Sequence, residues 1–475
     1  MQEQKYSNST IINGIALGFS LAFLLSALVA TFYTGEGSSL FYNWYLILIS
    51  PCPLVTDYFA IGGLASAMFN AGVCGLSMWL FMVGLKGHSH ANTMAGFFLV
   101  VAHCFYGLNF LNMWPCFLSV MFYLHKRKLD IKNNLHVCMF ATSFGPFISE
   151  FLFRYTQGDS RVFGEMNLTV SGILITIVFS LILGYVIPAI LPGALAMHKG
   201  YNLYNGGLAF GLFGFFVFNF MYKTMGIAWT PAKAFDNHIY LEFNHSFQMY
   251  ANIFFLLIFA TCLLVGYWLN GKSFHGYYHM ISDTGYRSDY ASKYGMPLCL
   301  INIGFYGSLF LAYLNFVVTL TDKGAGFTGP TFGVMLAALT FSAMGQHPKN
   351  VWPILVGYLL LYGTAYFFCA VNGREMSWSI STQAYINGVA FATGLCPIVG
   401  RYGIRAGILA GFVCASMCSS TSALHGGFVL YNGGFTTGIT ALILVPILEH
   451  YASAREQMKP LTLNFRDLIT VEENK

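Results

Sequence analysis

Long apolar stretches that contain no Asp, Glu, Lys or Arg dominate the chain. They include 58–85, 89–124, 166–197, 251–271, 294–321 and 406–448. A helix needs about 20 apolar residues to cross a bilayer, and in lipid only helices and closed barrels satisfy their backbone groups. Because the apolar character is continuous rather than alternating, the pattern predicts transmembrane helices.

The fold prediction is an all-α, polytopic transmembrane helical bundle of about 12–14 spans. The predicted spans are 11–33, 60–86, 93–111, 113–125, 135–153, 167–190, 201–222, 251–270, 295–320, 330–345, 351–371, 384–400, 404–422 and 428–448. The apolar segment 41–55 is interrupted by Pro51 and Pro53. We interpret that segment as interfacial or re-entrant.

Composition excludes several other classes of protein. Apolar residues make up 56% of the chain and charged residues 9%, whereas a soluble domain carries about 25% charged residues. Basic residues form no patch with interleaved aromatics, so nucleic acid is not a predicted partner. The 11 cysteines are scattered without any CxxC pair, so we predict no disulfide framework, no metal and no cofactor.

The chain repeats itself in four ordered blocks, each at a constant offset. The first block pairs Asp57-Tyr58, Gly63 and Asn70-x-Gly72-x-x-Gly75 with Asp289-Tyr290, Gly295 and Asn302-x-Gly304-x-x-Gly307. The second block pairs Thr93, Gly107 and Asn112-x-Trp114-Pro115 with Thr331, Gly345 and Asn350-x-Trp352-Pro353. The third block pairs Phe140-Ala141-Thr142 with Phe391-Ala392-Thr393. Chance does not preserve the order of such blocks, so the chain holds two homologous units.

The fourth block is the longest. It aligns the segment His198-x-Gly-Tyr-x-Leu-Tyr204-Asn205-Gly-Gly of unit one with the segment His425-x-Gly-Phe-x-Leu-Tyr431-Asn432-Gly-Gly of unit two. The predicted organisation is an N-terminal transmembrane helix (1–40), unit one (41–225), a loop with a linker helix (226–280), unit two (281–450) and a cytoplasmic tail (451–475).

Six spans per unit, with one span between the units, would place unit two upside down in the membrane. With the N-terminus in the cytoplasm, 17 of the 23 Lys and Arg residues then fall inside, as the positive-inside rule requires. We therefore predict inverted repeats in the plasma membrane, with broken or re-entrant helices and both termini cytoplasmic.

The Asn-Gly-Gly segments are the main candidates for a solute site. Transporters place broken helices at matching positions of inverted repeats, so Asn205, Asn432, Tyr204 and Tyr431 would line a pathway. The alternative is a tight turn between helices, with glycine for close packing and Asn as a cap.

The paired histidines His198 and His425 open the two copies of this block. They would relay protons or bind substrate, or else cap a helix at the interface.

Two further pairs of polar residues are repeated. Asn70 and Asn302 lie inside apolar spans, where a buried Asn either bonds to a neighbouring helix or lines the solute path. Asp57 and Asp289 each precede an apolar run, which favours helix N-caps. Ion coupling by these two carboxylates stays open if the pair is buried.

With these motifs in view, the chain resembles an uncharacterised family of bacterial membrane proteins built from two copies of a domain of unknown function. The resemblance covers nearly the whole chain and implies no activity. The segments from Gly200 to Gly211 and from Gly427 to Gly438 are also similar to a helix-opening segment of urea transporters, which are inverted repeats too. Extra residues separate the aromatic residue from Asn205 and Asn432 here.

These observations predict a permease that carries a small polar solute between two inverted units. A channel-like facilitator of a small neutral solute such as urea is the first alternative, and a membrane-embedded enzyme or sensor is the second. No enzymatic motif was found, and polar motifs shared by both units do not favour a single catalytic centre. The predicted partners are a small-molecule solute and the lipid bilayer, with homo-oligomerisation left open.

Overall fold

The computed structural model describes residues 6–85, 89–156, 166–229, 247–320 and 327–458. Throughout those ranges the regular structure is helical and includes no strand, which confirms the all-α prediction. Parts of the predicted loop 226–280 and of the tail 451–475 lie outside the described residues.

Within the described residues, unit one contains nine α-helices in chain order. They are α1 (Asn8–Thr34), α2 (Leu40–Ile49), α3 (Tyr58–Gly84), α4 (Ala91–His103), α5 (Met113–Lys126), α6 (Ile131–Ala141), α7 (Gly145–Phe153), α8 (Val170–Met197) and α9 (Asn205–Phe218). Short 3₁₀ turns at Glu36–Ser38 and Thr142–Phe144 join neighbouring helices, and a π-helical turn, Asn219–Thr224, extends α9.

Unit two follows the same order. Its helices are α10 (Phe247–Leu269), α11 (Tyr277–Met280), α12 (Tyr290–Tyr294), α13 (Met296–Thr319), α14 (Gly329–Ala338), α15 (Pro348–Val371), α16 (Gln383–Ala392), α17 (Cys396–Tyr402), α18 (Ile404–Met417), α19 (Thr421–Leu424) and α20 (Asn432–Tyr451). A 3₁₀ turn at Thr393–Leu395 joins α16 to α17.

Nine helical segments of the described chain are long and apolar enough to cross a membrane. They are 8–34, 58–84, 131–153, 170–197, 205–224, 247–269, 296–319, 348–371 and 432–451. Five of the predicted spans are not among these nine: 93–111, 113–125, 330–345, 384–400 and 404–422. Helices α4, α5, α14 and α18 have only 13, 14, 10 and 14 residues. At 1.5 Å per residue, none of these four reaches across a hydrocarbon core of about 30 Å.

Helices α1 and α10 occupy equivalent places in the two units, although the sequence analysis set them apart. A Cβ added to Gly72 would lie 2.7 Å from Leu24 of α1, and one added to Gly304 would lie 2.3 Å from Leu263 of α10. The Gly-x-x-Gly motifs therefore let α1 approach α3, and α10 approach α13, more closely than any larger residue would allow.

Each unit also contains an equivalent helix break. The backbone of α3 departs from helical geometry at Gly63, where φ is +77°, and α12 is separated from α13 at Gly295, where φ is +88°. Glycine adopts such positive φ angles without the steric cost that a Cβ would bring. The same break is thus encoded by the same residue in both units.

The two breaks lie at opposite ends of α1. At its first residue, the Asn8 side chain accepts a hydrogen bond from the Met296 backbone N–H, next to the break in unit two, at 3.1 Å. Beyond its last residue, the Glu36 side chain accepts one from the Ala65 N–H, next to the break in unit one, at 2.9 Å. A 27-residue helix is about 40 Å long. Equivalent parts of the units therefore face opposite sides, which confirms inverted repeats.

The units meet where α9 crosses α20. The Leu203 N–H donates to the Gly394 carbonyl at 3.0 Å, and the Leu430 N–H donates to the Ser143 carbonyl at 3.0 Å. These two hydrogen bonds join equivalent residues in exchanged roles, as a twofold axis requires. We call the line between the units at this crossing the pseudo-twofold axis.

Candidate functional site

The Asn-Gly-Gly segments lie beside the pseudo-twofold axis. Asn205 is the first residue of α9 and Asn432 the first residue of α20, and both are half-buried. A Cβ added to Gly207 would lie 2.2 Å from the carbonyl carbon of Gly434. The segments start helices, as the interpretation of a tight turn between helices requires. They also lie where the two units meet, as the interpretation of a solute pathway requires.

The two tyrosines before these segments are buried but differ in their hydrogen bonding. The Tyr204 hydroxyl donates to the Ala337 carbonyl at 2.7 Å. The Tyr431 hydroxyl is buried without a hydrogen-bond partner among the described residues. The pair is therefore equivalent in sequence but not in its capacity to bind a further group.

His103, the last residue of α4, connects Tyr431 to Tyr106. Its ring stacks on that of Tyr431 at 5.3 Å between centroids and packs edge-on against that of Tyr106 at 5.1 Å. His103 Nδ1 lies 2.6 Å from the Leu99 carbonyl oxygen, so Nδ1 carries the proton and Nε2 is an acceptor. We call His103, Tyr106 and Tyr431 the central cluster.

The central cluster holds three unused polar atoms. His103 Nε2 and the hydroxyls of Tyr106 and Tyr431 are buried with no partner in good hydrogen-bonding geometry in the described part of the chain. Buried polar groups in proteins are almost always paired with protein, water or ligand. The cluster therefore offers one acceptor and two hydroxyls between aromatic faces.

Unit two lacks this arrangement at the equivalent place. The repeat aligns His103 with Phe341 and Tyr106 with Met344. The Phe341 ring packs edge-on against Tyr204 at 4.7 Å. Sequence reasoning missed His103 and Tyr106 because it sought polar residues present in both units. The signal that could have found them is a polar residue in one unit aligned with an apolar one in the other.

The paired histidines also differ between the units. His425 Nε2 donates to Asn432 Oδ1 at 3.0 Å, and its Nδ1 accepts from the Val429 N–H at 3.4 Å. His198 Nδ1 accepts from the Gly200 N–H at 3.3 Å. Its Nε2, like Asn205 Oδ1, is buried without a partner within the described ranges. The His–Asn hydrogen bond that His425 and Asn432 form in unit two is therefore not formed by His198 and Asn205 in unit one.

Asn70 and Asn302 hold the turns that follow the short helices α4 and α14. Asn70 Nδ2 donates to the carbonyls of Cys104 and Leu108 at 2.9 and 3.1 Å. Asn302 Nδ2 donates to the carbonyls of Ser342 and Gln346 at 2.8 and 2.7 Å. Both amide N–H groups are committed to the backbone in each case. The contact of either Asn with a solute stays a prediction. Asn70 holds the turn that carries His103 and Tyr106, and Asn302 holds the equivalent turn of unit two.

The repeated aspartates cap helices. Asp57 Oδ1 accepts from the Phe59 N–H at 2.9 Å and from the Gly329 N–H of unit two at 3.0 Å. Asp289 is exposed and accepts from the Ser292 N–H at 3.0 Å. The favoured N-cap assignment therefore describes both residues. The condition for ion coupling, a buried pair, is not met by Asp289.

This geometry defines a multi-pass helical membrane protein of two inverted repeats with a polar cluster beside their pseudo-twofold axis. The chain belongs to the family described as protein of unknown function DUF1576, whose model matches residues 36–223 and again 269–450. The resemblance to a two-repeat family is thereby confirmed. None of the curated proteins or solved structures compared matches the chain, so the similarity to urea transporters has no support from them.

Proposed function

We propose that this protein is a plasma-membrane permease for a small, neutral, polar solute, with both termini in the cytoplasm. The observation that carries the proposal is the central cluster beside the pseudo-twofold axis, whose rings are in contact and which holds three buried polar atoms with no partner in good hydrogen-bonding geometry among the described residues. Transporters of inverted-repeat architecture bind their solutes near such an axis, at broken helices.

The chemistry of the cluster selects the class of solute. The hydrogen bonds and ring contacts of His103, Tyr106 and Tyr431 involve no charged side chain. A buried ion needs an opposite charge or a dense set of hydrogen bonds. A neutral molecule that donates to His103 Nε2 and accepts from a phenol would satisfy the cluster without that cost.

Aromatic rings packed against the central cluster would form the apolar walls of the solute site. Phe210 stacks on Tyr431 at 5.7 Å and Phe391 stacks on His103 at 6.2 Å. Ligand sites are typically apolar walls with a few polar groups that fix orientation. Planar amides, ureas and small polyols match this description by their hydrogen-bonding groups and lack of charge.

Osmotic swelling of proteoliposomes tests the proposal. Purified protein would be reconstituted and challenged with a panel of neutral amides, ureas and polyols. At least one solute should enter faster than into protein-free vesicles, and Tyr431→Phe should slow its entry. Tyr204→Phe is the matched control, because the Tyr204 hydroxyl is already used by the Ala337 carbonyl.

Two results would contradict the proposal. One is a panel in which no solute enters faster than into empty vesicles, and the other is equal entry through the wild type and Tyr431→Phe. Dependence of entry on a proton or sodium gradient separates a coupled permease from a channel-like facilitator, which responds to the solute gradient alone.

A further inference from the structure

The carboxyl group of Glu36 is buried at the helix break of unit one. Only 1% of the residue is exposed. Its Oε2 accepts the Ala65 N–H at 2.9 Å, and its Oε1 has no partner in good hydrogen-bonding geometry among the described residues, although the Leu64 N–H and the Thr34 hydroxyl lie close enough to influence the carboxyl. The side chain fills the space that the absent Cβ of Gly63 leaves, because a Cβ there would collide with Oε1.

The break of unit two is closed by a neutral group instead. Asn8 Oδ1 accepts the Met296 N–H at 3.1 Å, and Asn8 Nδ2 donates to the Ala291 carbonyl at 2.7 Å. An amide at one break and a carboxyl at the other perform the same capping role. Of these two capping side chains, the amide of Asn8 cannot gain or lose a proton, whereas the carboxyl of Glu36 can.

No positive charge faces the Glu36 carboxyl among the described groups. The groups that interact with it are the backbone N–H groups of Leu64 and Ala65 and the Thr34 hydroxyl. The titratable side chains of the packed helices α1, α2 and α3 are those of Tyr33, Tyr42, Tyr45, Tyr58 and Cys74. Burial raises the pKa of Glu36 to about 7, against the lowering effect of the Ala65, Leu64 and Thr34 hydrogen bonds.

The break is connected to the central cluster through α3. Two turns beyond Gly63, Asn70 holds the carbonyls of Cys104 and Leu108. These two residues flank Tyr106 in the chain, and Cys104 directly follows His103. A change in packing at the break therefore acts on the turn that positions two of the three residues of the central cluster.

We propose that Glu36 is a proton-binding site that couples solute movement to the proton gradient. The coupling half of this proposal rests on the proposed permease function, whereas proton binding by Glu36 does not. The ionised carboxyl accepts a stronger hydrogen bond from the Ala65 N–H and is favoured by the helix N-terminus that begins at the break. Protonation weakens that hydrogen bond but removes the larger cost of burying an ionised carboxyl, so the two protonation states differ in how the break is held together.

Thermal unfolding of the detergent-purified protein without solute tests proton binding. A carboxyl whose pKa is higher in the folded protein than in the unfolded chain stabilises the fold fully at low pH. That contribution is lost as the pH rises through the folded value, here between pH 4.5 and about 7. Glu36→Gln should therefore flatten the fall of the melting temperature across this window. Glu449→Gln, which removes an exposed partner of Lys199, should keep it.

A wild-type pH profile in the Glu36→Gln protein would overturn proton binding at this site. If the variant fails to fold, infrared titration of the wild type decides instead: the carbonyl band of a protonated carboxyl should disappear with a midpoint near pH 7, and its absence would overturn the proposal. Coupling is tested separately by uptake of a solute identified in the swelling assay. Uptake driven by a proton gradient in the wild type but not in Glu36→Gln is expected, and equal dependence on the gradient would refute coupling alone.

Discussion

The backbones of Gly207 and Gly434 are in direct contact where α9 crosses α20. A Cβ on Gly207 would lie 2.2 Å from the carbonyl carbon of Gly434, and a Cβ on Gly434 would lie 3.0 Å from the Cα of Gly207. Because both contacted atoms, one in each unit, belong to the backbone, neither can move aside as a flexible side chain could. This contact fixes how closely the two units approach at the pseudo-twofold axis.

Alanine at Gly207 should destabilise the protein more than alanine at Gly434. Overpacking of this kind costs about 1–3 kcal/mol, and the closer approach at Gly207 places it at the upper end. Thermal unfolding in detergent would measure the difference. Gly193→Ala is the control, since a Cβ on Gly193 meets nothing within 4 Å; similar losses for all three variants would argue against the crossing described here.

Phenylalanine at His103 should preserve the fold and weaken solute binding. Phe341 already occupies the equivalent place in unit two, so the substitution copies a side chain that this architecture accommodates. Removal of the Nε2 acceptor deletes one hydrogen bond to the solute, worth about 0.5–1.5 kcal/mol, or roughly a two- to tenfold rise in the half-saturating concentration. Concentration-dependent uptake would measure it, and unchanged half-saturation would place the solute elsewhere.

Alanine at Asn70 and at Asn302 should lower stability to a similar extent. Each variant leaves two buried backbone carbonyls without a donor, which we expect to cost about 1–3 kcal/mol. Thermal unfolding of both variants checks this expectation. Asn372→Ala, which removes a hydrogen bond at an exposed helix end, should have little effect. Wild-type stability in Asn70→Ala would show that its amide is not needed by the turn.

Asp283 and Lys293 form an ion pair with a different pH dependence from that of Glu36. Lys293 Nζ lies 2.6 Å from Asp283 Oδ2. Burial opposes ionisation of Asp283, but Lys293, the Gly285 N–H and Tyr294 outweigh it and hold the pKa of Asp283 below 3.8. A lowered pKa stabilises the fold above the unfolded value, and that contribution is lost only as the pH falls through the folded one.

Asparagine at Asp283 should therefore lower the melting temperature by a constant amount from neutral pH down to about pH 5. The difference from the wild type should shrink only at more acidic pH. Melting curves of both proteins across this range provide the measurement. A difference that already vanishes by about pH 6 would mean that Asp283 is not held ionised by Lys293.

The sequence predicted the architecture where both units keep the same residue for the same physical reason. Glycine recurs at Gly63 and Gly295 because the chain must adopt a positive φ, and Asn recurs at Asn70 and Asn302 because two carbonyls need a donor. Such requirements survive duplication and divergence. The helical class, the two units and their inversion were therefore accessible from the pattern alone.

The central cluster and the buried carboxyl at the break of unit one could not be predicted from residues that both units share. His103 is aligned with Phe341 and Glu36 has no carboxyl counterpart in unit two, so a search for repeated polar residues passes over both. The equivalence of α1 and α10 was also missed, because lipid-facing helices keep their apolar character without keeping particular residues. The role of Asn205 and Asn432 in the solute pathway stays a prediction. Both residues lie next in the chain to the tyrosines Tyr204 and Tyr431, of which Tyr431 belongs to the central cluster.

A thermal-stability screen of the purified protein against neutral polar solutes tests the central claim most directly. A ligand at about 100 times its dissociation constant stabilises the folded protein by about 2.7 kcal/mol. We predict that at least one amide, urea or polyol raises the melting temperature of the wild type and of Tyr204→Phe, but not that of Tyr431→Phe. A solute that stabilises Tyr431→Phe as much as the wild type would contradict binding at the central cluster.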